Sequence, residues 1–315
     1  MQNLVNGLHH MTAIAGDPQK NVDFYAGILG LRFIKKTVNF DAPDVYHLYY
    51  GDGSGTPGSI LTFFPYGNIS RGRKGTGETS VTSFSVPSNA LGFWMERLKK
   101  FQVVFKAPQK RFDEEFICFE DHDGLGLELV ANDHDQRKGW ITGGISAQYA
   151  IKGFFNVTLS EHGYERTAGL LTKHMEHRLV GEKGSLLRFE AGAGGPGTYI
   201  DIRCEPDMAR AWQGSGSVHH IAFSTDNDES QAVIRQNLLR AGFNPTPVKD
   251  RQYFHSIYFK EPGGVLFEVA TNNPGFAVDE PANALGSSLK LPEWHEPRRK
   301  QLEQVLQPLH LPEVV

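Results

Sequence analysis

The stretch LHHMTA at residues 8–13 is matched, much later in the chain, by VHHIAF at residues 218–223. Each stretch opens a strand-like run, and a pair of histidines occupies the same place in both. Imidazole is the commonest protein ligand of transition metals, so the repeat suggests a duplicated module that brings both copies to one metal. Glu268, near the end of the second copy, offers a carboxylate. Two histidines and one glutamate would leave coordination positions open for chemistry.

Length, composition and charge narrow the range of functions. The chain has 315 residues, which predicts about two domains, and 39% of its residues are hydrophobic, enough to bury a core. The formal net charge of −4 provides no basic excess, so neither nucleic acid nor an anionic membrane is expected as a partner. No apolar run approaches the roughly 20 residues that span a membrane.

The two cysteines and the N-terminus predict a cytoplasmic protein. Cys118 and Cys204 both lie in strand-like runs, where we expect reduced thiols in the core. Residues 1–6 lack the charged and apolar regions of a signal peptide. The sequence leaves the oligomeric state open, and a homo-oligomer is one of the alternatives.

A module of one strand, one helix and about three further strands recurs four times. The first copy spans about residues 8–66 and the fourth about residues 217–271. Two weaker copies lie between them, over about 79–131 and 153–204. The last turn and strand of the second copy resemble those of the fourth closely. The sequence therefore predicts an α+β fold of four βαβββ modules.

The sequence contains candidate capping residues at the ends of the helices in the first and fourth modules. In the first module an apolar face runs from Val22 to Leu29, and Gly30 follows in the manner of a C-cap glycine. In the fourth module Asp226 or Asp228 can cap a helix.

The modules divide the chain into two domains and a tail. We predict an N-terminal two-module domain over residues 1–135 and a C-terminal two-module domain over 150–280, joined by a polar linker. Residues 281–315 depart from the repeat and include a predicted helix at 296–306, whose basic residues should face solvent. The sequence leaves open whether this tail closes a cleft.

The fourfold module and its histidine pairs resemble the vicinal oxygen chelate superfamily. This superfamily includes glyoxalases, bleomycin-resistance proteins, fosfomycin-resistance enzymes and type I extradiol dioxygenases. The resemblance covers about residues 5–280 and implies two tandem domains whose paired modules form half-open barrels. The segments at residues 35–39, 46–52 and 57–65 are most similar to ring-cleaving dioxygenases of the hydroquinone 1,2-dioxygenase type.

The resemblance implies that the second histidine of each pair binds the metal, which gives His10 and His220 with Glu268. The second and third modules have carboxylates at Glu128 and Asp201 but no imidazole, a poor set for a transition metal. We therefore expect one metal per chain, at a barrel that both domains share.

The other modules are expected to carry different residues at the positions equivalent to the predicted ligands. At the position equivalent to the ligating histidine we predict Ser83 in the second module and Gly153 or Phe154 in the third. At the position equivalent to Glu268 the first module has Thr62 or Phe63.

Five further residues match the hydroquinone subgroup and are expected around the metal. They are His9, Thr12, His219, Arg251 and Tyr258. His9 and His219 would support the ligands or relay protons, although strand alternation alone would point them to the opposite face. Arg251 would stabilise negative charge, and Tyr258 would donate a hydrogen bond or a proton.

Two histidines and one carboxylate with open positions are diagnostic of non-haem Fe(II) oxygenases. The sequence therefore predicts an Fe(II)-dependent extradiol-type dioxygenase that opens hydroquinone rings, or catechol rings, with dioxygen. Affinity alone does not select iron, so Mn, Zn or Ni could occupy the site in a purified sample. The ring substituents and the preference for para- or ortho-diols stay open.

Three alternatives compete with this interpretation. A glyoxalase-type isomerase would take a second carboxylate from the partner module, where this chain has Thr62 or Phe63. A fosfomycin-type transferase uses two-module chains that dimerise. A non-enzymatic resistance protein that sequesters an aromatic compound would lack the two histidines and the glutamate.

Overall fold

The computed structural model describes residues 3–142 and 144–312, so the outermost residues of the predicted N-terminal domain and tail lie outside the described ranges. The strands are β1 Gly7–Ala15, β2 Arg32–Asn39, β3 Ala42–Gly51, β4 Ile60–Pro65, β5 Glu78–Val86, β6 Gln109–Arg111, β7 Glu114–Glu120, β8 Gly126–Ala131, β9 Gly153–Glu161, β10 Arg178–Lys183, β11 Leu186–Glu190, β12 Tyr199–Cys204, β13 Ser217–Thr225, β14 Lys249–Asp250, β15 Phe254–Lys260 and β16 Leu266–Pro274. The α-helices are α1 Pro18–Val22, α2 Leu91–Lys100, α3 Glu165–His174, α4 Asp228–Arg240 and α5 Arg299–Val305.

Every module arranges its four strands in the same order. The first strand of a module pairs in parallel with its last strand, as β1 does with β4 and β13 with β16. The two middle strands then continue the sheet outward, in the order β1-β4-β3-β2 for the first module. The predicted α+β fold of four βαβββ modules is confirmed.

Each of the two eight-stranded sheets combines modules from opposite halves of the sequence. One sheet has the order β14-β15-β16-β13-β1-β4-β3-β2 and joins the fourth module to the first. The other has the order β10-β11-β12-β9-β5-β8-β7-β6 and joins the third module to the second. The junctions are the antiparallel pairs β1–β13 and β5–β9. Each half-open barrel is therefore built from one module of each half of the sequence. The domain boundaries at 1–135 and 150–280 stay a prediction.

The first-module helix changes its winding after one turn. α1 is followed by a π-helical segment, Asp23–Ile28, in which the amide of Leu29 donates to the carbonyl of Phe24 at 2.9 Å. The wider turn buries Phe24 and Leu29 and leaves Ile28 partly exposed. Gly30 follows with φ of +64°, as a C-cap glycine requires.

The cap of α4 differs from the prediction. The side chain of Asn227, and not that of Asp226 or Asp228, accepts a hydrogen bond from the amide of Ser230 at 3.0 Å. Asn227 has the extended backbone of an N-cap residue, with φ of −158°, whereas Asp228 is already the first helical residue.

The tail packs against the first module. The Tyr46 hydroxyl donates to the carbonyl of Gln307 at 2.9 Å, and Arg32 donates to that of Ala282 at 2.7 Å. Just before the tail, the ammonium of buried Lys35 lies 2.6 Å from carboxylate oxygens of Asp279 and Glu280. The predicted tail helix is present as a 3-10 turn, Glu296–Arg298, followed by α5. Along the described part of the chain, no helix combines the length and apolarity that crossing a bilayer requires.

The two thiols are free but less buried than expected. Neither Cys118 nor Cys204 forms a disulfide, and both are partly exposed. Cys118 borders an open groove beside Glu128, which explains why a strand position does not place it in the core.

A network of buried charges fills the interior of the second half-barrel. The guanidinium of Arg188 donates to both oxygens of Asp201, at 2.7 and 2.8 Å. Arg111 donates in the same way to Glu128, at 3.2 and 2.9 Å. Glu114 bonds to Arg188 and lies 3.7 Å from Arg111. The carboxylates of the second and third modules are thus neutralised by arginine.

We predict that Arg188→Met lowers the free energy of unfolding by about 3 to 5 kcal/mol, because it removes the guanidinium that bonds both oxygens of buried Asp201 and leaves only Arg111, 3.7 Å away, as a cation beside that carboxylate. The double variant Arg188→Met/Asp201→Leu should recover most of that loss. Urea unfolding measures both changes. Arg178→Met, which removes an exposed ion pair with Glu190 in the same module, is the control and should cost less than about 1 kcal/mol. Equal losses in the two single variants would contradict the role of the network.

The carboxyl group of Glu161, at the end of β9, lies beside that of Glu261, in the turn between β15 and β16. Glu261 accepts hydrogen bonds from the Thr167 hydroxyl at 2.6 Å and from the amides of Gly263 and Val265 at 2.8 Å. Burial, followed by the neighbouring Glu261 charge, raises the pKa of Glu161 to about 8. A Cβ atom at residue 263 would lie 1.5 Å from a Glu161 oxygen, so a larger residue there would displace the Glu161 carboxyl group.

Glu161→Gln should change how stability depends on pH. Between the ordinary pKa of 4.5 and about 8, folded Glu161 holds a proton that the unfolded chain has lost, so its contribution to stability falls as pH rises. Glutamine mimics the protonated form and has no such dependence. Near the acid end of this window we expect the variant and the wild type to have the same melting temperature. Above the window we expect the variant to have the higher melting temperature. Parallel melting curves across the window would refute this, and Glu182→Gln, at an exposed position on β10, is the control.

Candidate metal centre

Two β-bulges place both histidines of each pair on one side of the β1–β13 junction. In the antiparallel register the extra residue is His9 on β1 and His219 on β13. A bulge breaks the alternation of a regular strand, so the first histidine of each pair turns toward the second. Nδ1 of His9 lies 2.9 Å from Nδ1 of His10, and the corresponding distance between His219 and His220 is 2.8 Å. The structure thus places His9 and His219 beside the candidate ligands, as expected.

Three candidate ligand atoms converge at the junction of the first and fourth modules. Nε2 of His10 lies 3.3 Å from Nε2 of His220, and Oε2 of Glu268 lies 3.3 and 2.9 Å from these two nitrogens. Glu268 reaches this point because β16 pairs in parallel with β13, where it lies beside Ala222. All three side chains are buried. The structure therefore brings together the predicted ligands, and metal binding by them stays a prediction.

The protonation states of these groups suit a metal ion. Burial alone would raise the pKa of Glu268, but the His10 and His220 imidazoles hold it well below its usual value. Burial lowers the pKa of His220, against the opposing Glu268 charge. Metals bind neutral imidazole and ionised carboxylate, the forms that these shifts favour for His220 and Glu268.

The hydrogen bonds of the Glu268 carboxylate leave one oxygen for a cation. Oε1 accepts a hydrogen bond from the Ser256 hydroxyl. Oε2 is buried and, among the described atoms, receives no hydrogen bond of good geometry, although two imidazole nitrogens lie close to it. An orphaned buried oxygen facing two nitrogens fits a transition metal with a nitrogen and oxygen ligand set.

The supporting histidines are neutral as well. Burial, followed by the neighbouring His10, lowers the pKa of His9 to about 3, and burial with His220 lowers that of His219 to about 4. If His10 and His220 use Nε2 for the metal, each donates its Nδ1 proton to the adjacent histidine. This contact fixes the ring orientation of a ligand.

Arg251 and Tyr258 lie together on the fourth-module wall. Nε of Arg251 donates to the Tyr258 hydroxyl at 3.1 Å, and Nη2 donates to Asp41 of the first module at 3.0 Å. The Tyr258 ring centre is 5.6 Å from that of His220. Burial, together with the Glu268 charge, raises the pKa of Tyr258 well above its usual value, so the phenol stays protonated.

A cavity of about 350 Å³ opens over these groups, a size that accommodates a single aromatic ring. Its walls include His10, His220, Arg251, Tyr258, Phe64 and Phe254. His255 does not line it and instead pairs with Asp228 at 2.6 Å.

Sequence reasoning missed two side chains of the cavity, His47 and Tyr49. Both lie on the same face of β3, and the register of β3 with β4 places them where the fourth module has Ser256 and Tyr258. An alignment of the first module with the fourth over these strands is the signal that could have found them. The predicted Thr12 lies close by, with its hydroxyl 2.8 Å from that of Thr62.

The strand register also corrects two counterparts in the second half-barrel. The residue at the His10 place is Val81 in the second module, and Ser83 lies two positions further along. In the third module the corresponding residue is Asn156, not Gly153 or Phe154. The bulges shift the register, so spacing from the strand start misplaces these positions. Neither counterpart is an imidazole.

Comparisons with known proteins agree with this architecture. Residues 7–129 match the model of the Glyoxalase/Bleomycin resistance protein/Dioxygenase superfamily. The chain is 44% identical, over 98% of both sequences, to MhqO of Bacillus subtilis, named as a candidate ring-cleaving dioxygenase. It is 34% identical, over 91% of both, to the chlorohydroquinone/hydroquinone 1,2-dioxygenase of Sphingobium indicum. A crystal structure of a candidate dioxygenase from Bacillus subtilis superposes with a TM-score of 0.95, covering 99% of this chain and all of that one, at 44% identity.

We predict that His10→Ala, His220→Ala and Glu268→Gln each abolish stoichiometric metal binding, because each removes one of three converging ligand atoms. His9→Ala and His219→Ala should weaken binding by roughly 10- to 100-fold, as loss of a ligand-orienting group does. Anaerobic equilibrium dialysis against Fe(II), followed by elemental analysis, measures both effects. His255→Ala is the matched histidine control. Full metal content in any of the three ligand variants would show that the site is assigned wrongly.

Proposed function

Because this chain belongs to the Glyoxalase/Bleomycin resistance protein/Dioxygenase superfamily, we propose that it is an Fe(II)-dependent dioxygenase that opens the aromatic ring of hydroquinones, or of catechols. The observation that carries the proposal is the buried cluster of His10, His220 and Glu268 beneath a cavity lined by aromatic rings and one guanidinium. Full-length similarity to a hydroquinone 1,2-dioxygenase supports the substrate class.

The metal ligands would be His10, His220 and Glu268, with positions left open. Iron held there would supply open coordination positions and the redox chemistry that a reaction of a phenol with dioxygen requires. His9 and His219 accept the Nδ1 protons of the ligating imidazoles and hold the rings in place.

Arg251 and Tyr258 manage charge and protons on the fourth-module wall. The Tyr258 oxygen accepts from Arg251, so the phenolic proton is free to donate toward a ligand in the cavity. The guanidinium offers positive charge to a substrate phenolate, and Asp41 holds it in place from the opposite module. A partly buried charge-assisted donor of this kind stabilises negative charge that develops during reaction.

The aromatic walls orient the ring and exclude water. Phe254 packs against His10 with ring centres 4.9 Å apart, and Phe64 packs against His219 at 5.7 Å. Holding a ring between such walls beside the open metal positions provides the proximity that the reaction needs.

The glyoxalase alternative lacks its second carboxylate. The residue that corresponds to Glu268 in the first module is Thr62, which lies beside Thr12 in the register, as Glu268 lies beside Ala222. Its hydroxyl is already engaged by Thr12 and His47. Simple sequestration of an aromatic compound would not require a buried set of two imidazoles and a carboxylate.

The setting we propose is the cytoplasm, where unpaired thiols such as Cys118 and Cys204 stay reduced. The partners are a small aromatic diol and dioxygen. The net charge of −4 gives no reason to expect nucleic acid or a membrane surface.

Oxygen uptake tests the reaction. After anaerobic reconstitution with Fe(II), we expect dioxygen consumption with hydroquinone or catechol, and none with methylglyoxal and glutathione. Glu268→Gln treated in the same way should consume none. Isomerisation of the methylglyoxal–glutathione adduct with no uptake on any diol would favour the glyoxalase alternative. Diol binding without uptake at full iron loading would favour sequestration.

A further inference from the structure

The first module brings a tyrosine to the cavity at the place where the fourth module brings Tyr258. Tyr258 on β15 lies opposite Glu268 in the antiparallel register, and Tyr49 on β3 lies opposite Thr62 in the same way. Both tyrosines line the cavity. Because these modules pair at β1 and β13, each contributes one phenol to its own wall of the cavity.

A chain of hydrogen bonds runs from Tyr49 into the floor of the half-barrel. The Tyr49 hydroxyl lies 2.8 Å from Nδ1 of His47, and Nε2 of His47 lies 2.8 Å from the Thr62 hydroxyl. The Thr62 hydroxyl in turn lies 2.8 Å from that of Thr12. Both threonines are fully buried, whereas the Tyr49 end of the chain borders the cavity.

The number of protons limits the chain to three arrangements. Burial, followed by the nearby His10, holds the pKa of His47 well below its usual value, so the imidazole is neutral and carries one N–H. Three hydroxyl protons and one imidazole proton serve three internal hydrogen bonds, which leaves one proton for a partner outside the chain. That proton lies on Tyr49 at the cavity if His47 is protonated on Nδ1, and on Thr12 or Thr62 at the buried end if His47 is protonated on Nε2.

Burial decides among these arrangements. In the part of the chain that the structure describes, the Thr12 hydroxyl has no hydrogen-bond partner besides Thr62, and the Thr62 hydroxyl has none besides Thr12 and His47. A buried donor without an acceptor is unfavourable, so the unused proton belongs at the cavity end. His47 then carries its proton on Nδ1 and donates to the Tyr49 oxygen, while Nε2 accepts from Thr62. In this arrangement the Tyr49 proton points into the cavity.

We propose that Tyr49 is a specificity-determining residue, whose hydroxyl donates a hydrogen bond to the diol oxygen that is not bound to the metal. His47, Thr62 and Thr12 position that hydroxyl through the chain. This inference rests on the proposed ring-cleaving function and deepens it, because it assigns the recognition of the second hydroxyl. A site built to hydrogen-bond one substrate hydroxyl rejects the analogue that lacks it. The selected class is therefore a dihydroxylated ring, as against a monophenol.

The charges around Tyr49 support the assignment. Burial, followed by the neighbouring Tyr258 and Glu268, raises the pKa of Tyr49 well above its usual value. The phenol therefore remains a neutral donor. It interacts electrostatically with Tyr258, Glu268 and Arg251, and it lines the same cavity as Tyr258 and Arg251.

The His47 tautomer is measurable in the full-length protein before any metal or substrate is added. Long-range 15N–1H correlation spectra distinguish the two neutral tautomers, and loss of signals in His47→Gln assigns them. We expect the Nδ1–H form, and Thr62→Val should abolish this preference. The control is Thr82→Val in the second half-barrel, where the buried hydroxyl has no partner among the described residues. An Nε2–H form in the wild type would overturn the proposal.

Binding selectivity tests the role of Tyr49 directly. Anaerobic calorimetry of the iron-loaded protein with hydroquinone and with phenol gives the preference for the diol. Tyr49→Phe should reduce that preference by roughly tenfold or more, as loss of a buried hydrogen bond does. Tyr50→Phe removes a buried hydroxyl bound to Asn21 on the opposite face of β3, and should keep the preference. An unchanged preference in Tyr49→Phe would overturn the proposal.

These measurements separate this inference from the proposed function. Loss of diol preference in Tyr49→Phe, in a protein that consumes no oxygen with any diol, would support the Tyr49 assignment and reject ring cleavage. Oxygen consumption by a Tyr49→Phe protein that keeps the wild-type preference would support ring cleavage and reject the Tyr49 assignment.

Discussion

The buried carboxylate of Glu268 is the constraint on which the rest of the site depends. Its Oε2 atom lies within 3.3 Å of two imidazole nitrogens and receives no well-directed hydrogen bond from the described residues. A buried charge is costly without a partner, and imidazoles in the neutral form that binds a metal would supply no counter-charge. In our account a cation at the point of convergence balances the carboxylate. The bulges at His9 and His219 serve the same arrangement, because they bring a hydrogen-bond partner to the far nitrogen of each candidate ligand.

The second half-barrel solves the same electrostatic problem in another way. It has the same strand order, and it carries the carboxylates Glu128 and Asp201 on strands equivalent to the one that bears Glu268. There the guanidinium groups of Arg111 and Arg188 neutralise the acids by paired hydrogen bonds. One fold thus balances its interior acids with arginine in one barrel and, in our account, with a metal in the other. This contrast explains why the chain offers one candidate metal centre within the described residues.

The sequence predicted the parts of the site that residue type and module position determine. His10, His220 and Glu268 stand at repeated positions, and the resemblance to the superfamily selected the second histidine of each pair; their role as ligands stays a prediction. Features that depend on contacts between distant strands could not be predicted in this way. Strand alternation does not reveal a bulge, and chain order does not show that the first module pairs with the fourth. His47 and Tyr49 were not predicted because their role depends on the contact between His47 and the Thr62 hydroxyl on a different strand. A local sequence pattern does not reveal such a contact.

Isotope labelling of the oxygen atoms tests the central claim most directly, since the claim is that a single metal centre joins dioxygen to an aromatic ring. The iron-loaded protein is given hydroquinone under 18O2 in ordinary water, and the product is analysed by mass spectrometry. We predict a ring-opened product whose new carboxylate carries 18O from dioxygen. An intact ring, or a ring-opened product whose new carboxylate oxygen comes from water alone, would contradict the account.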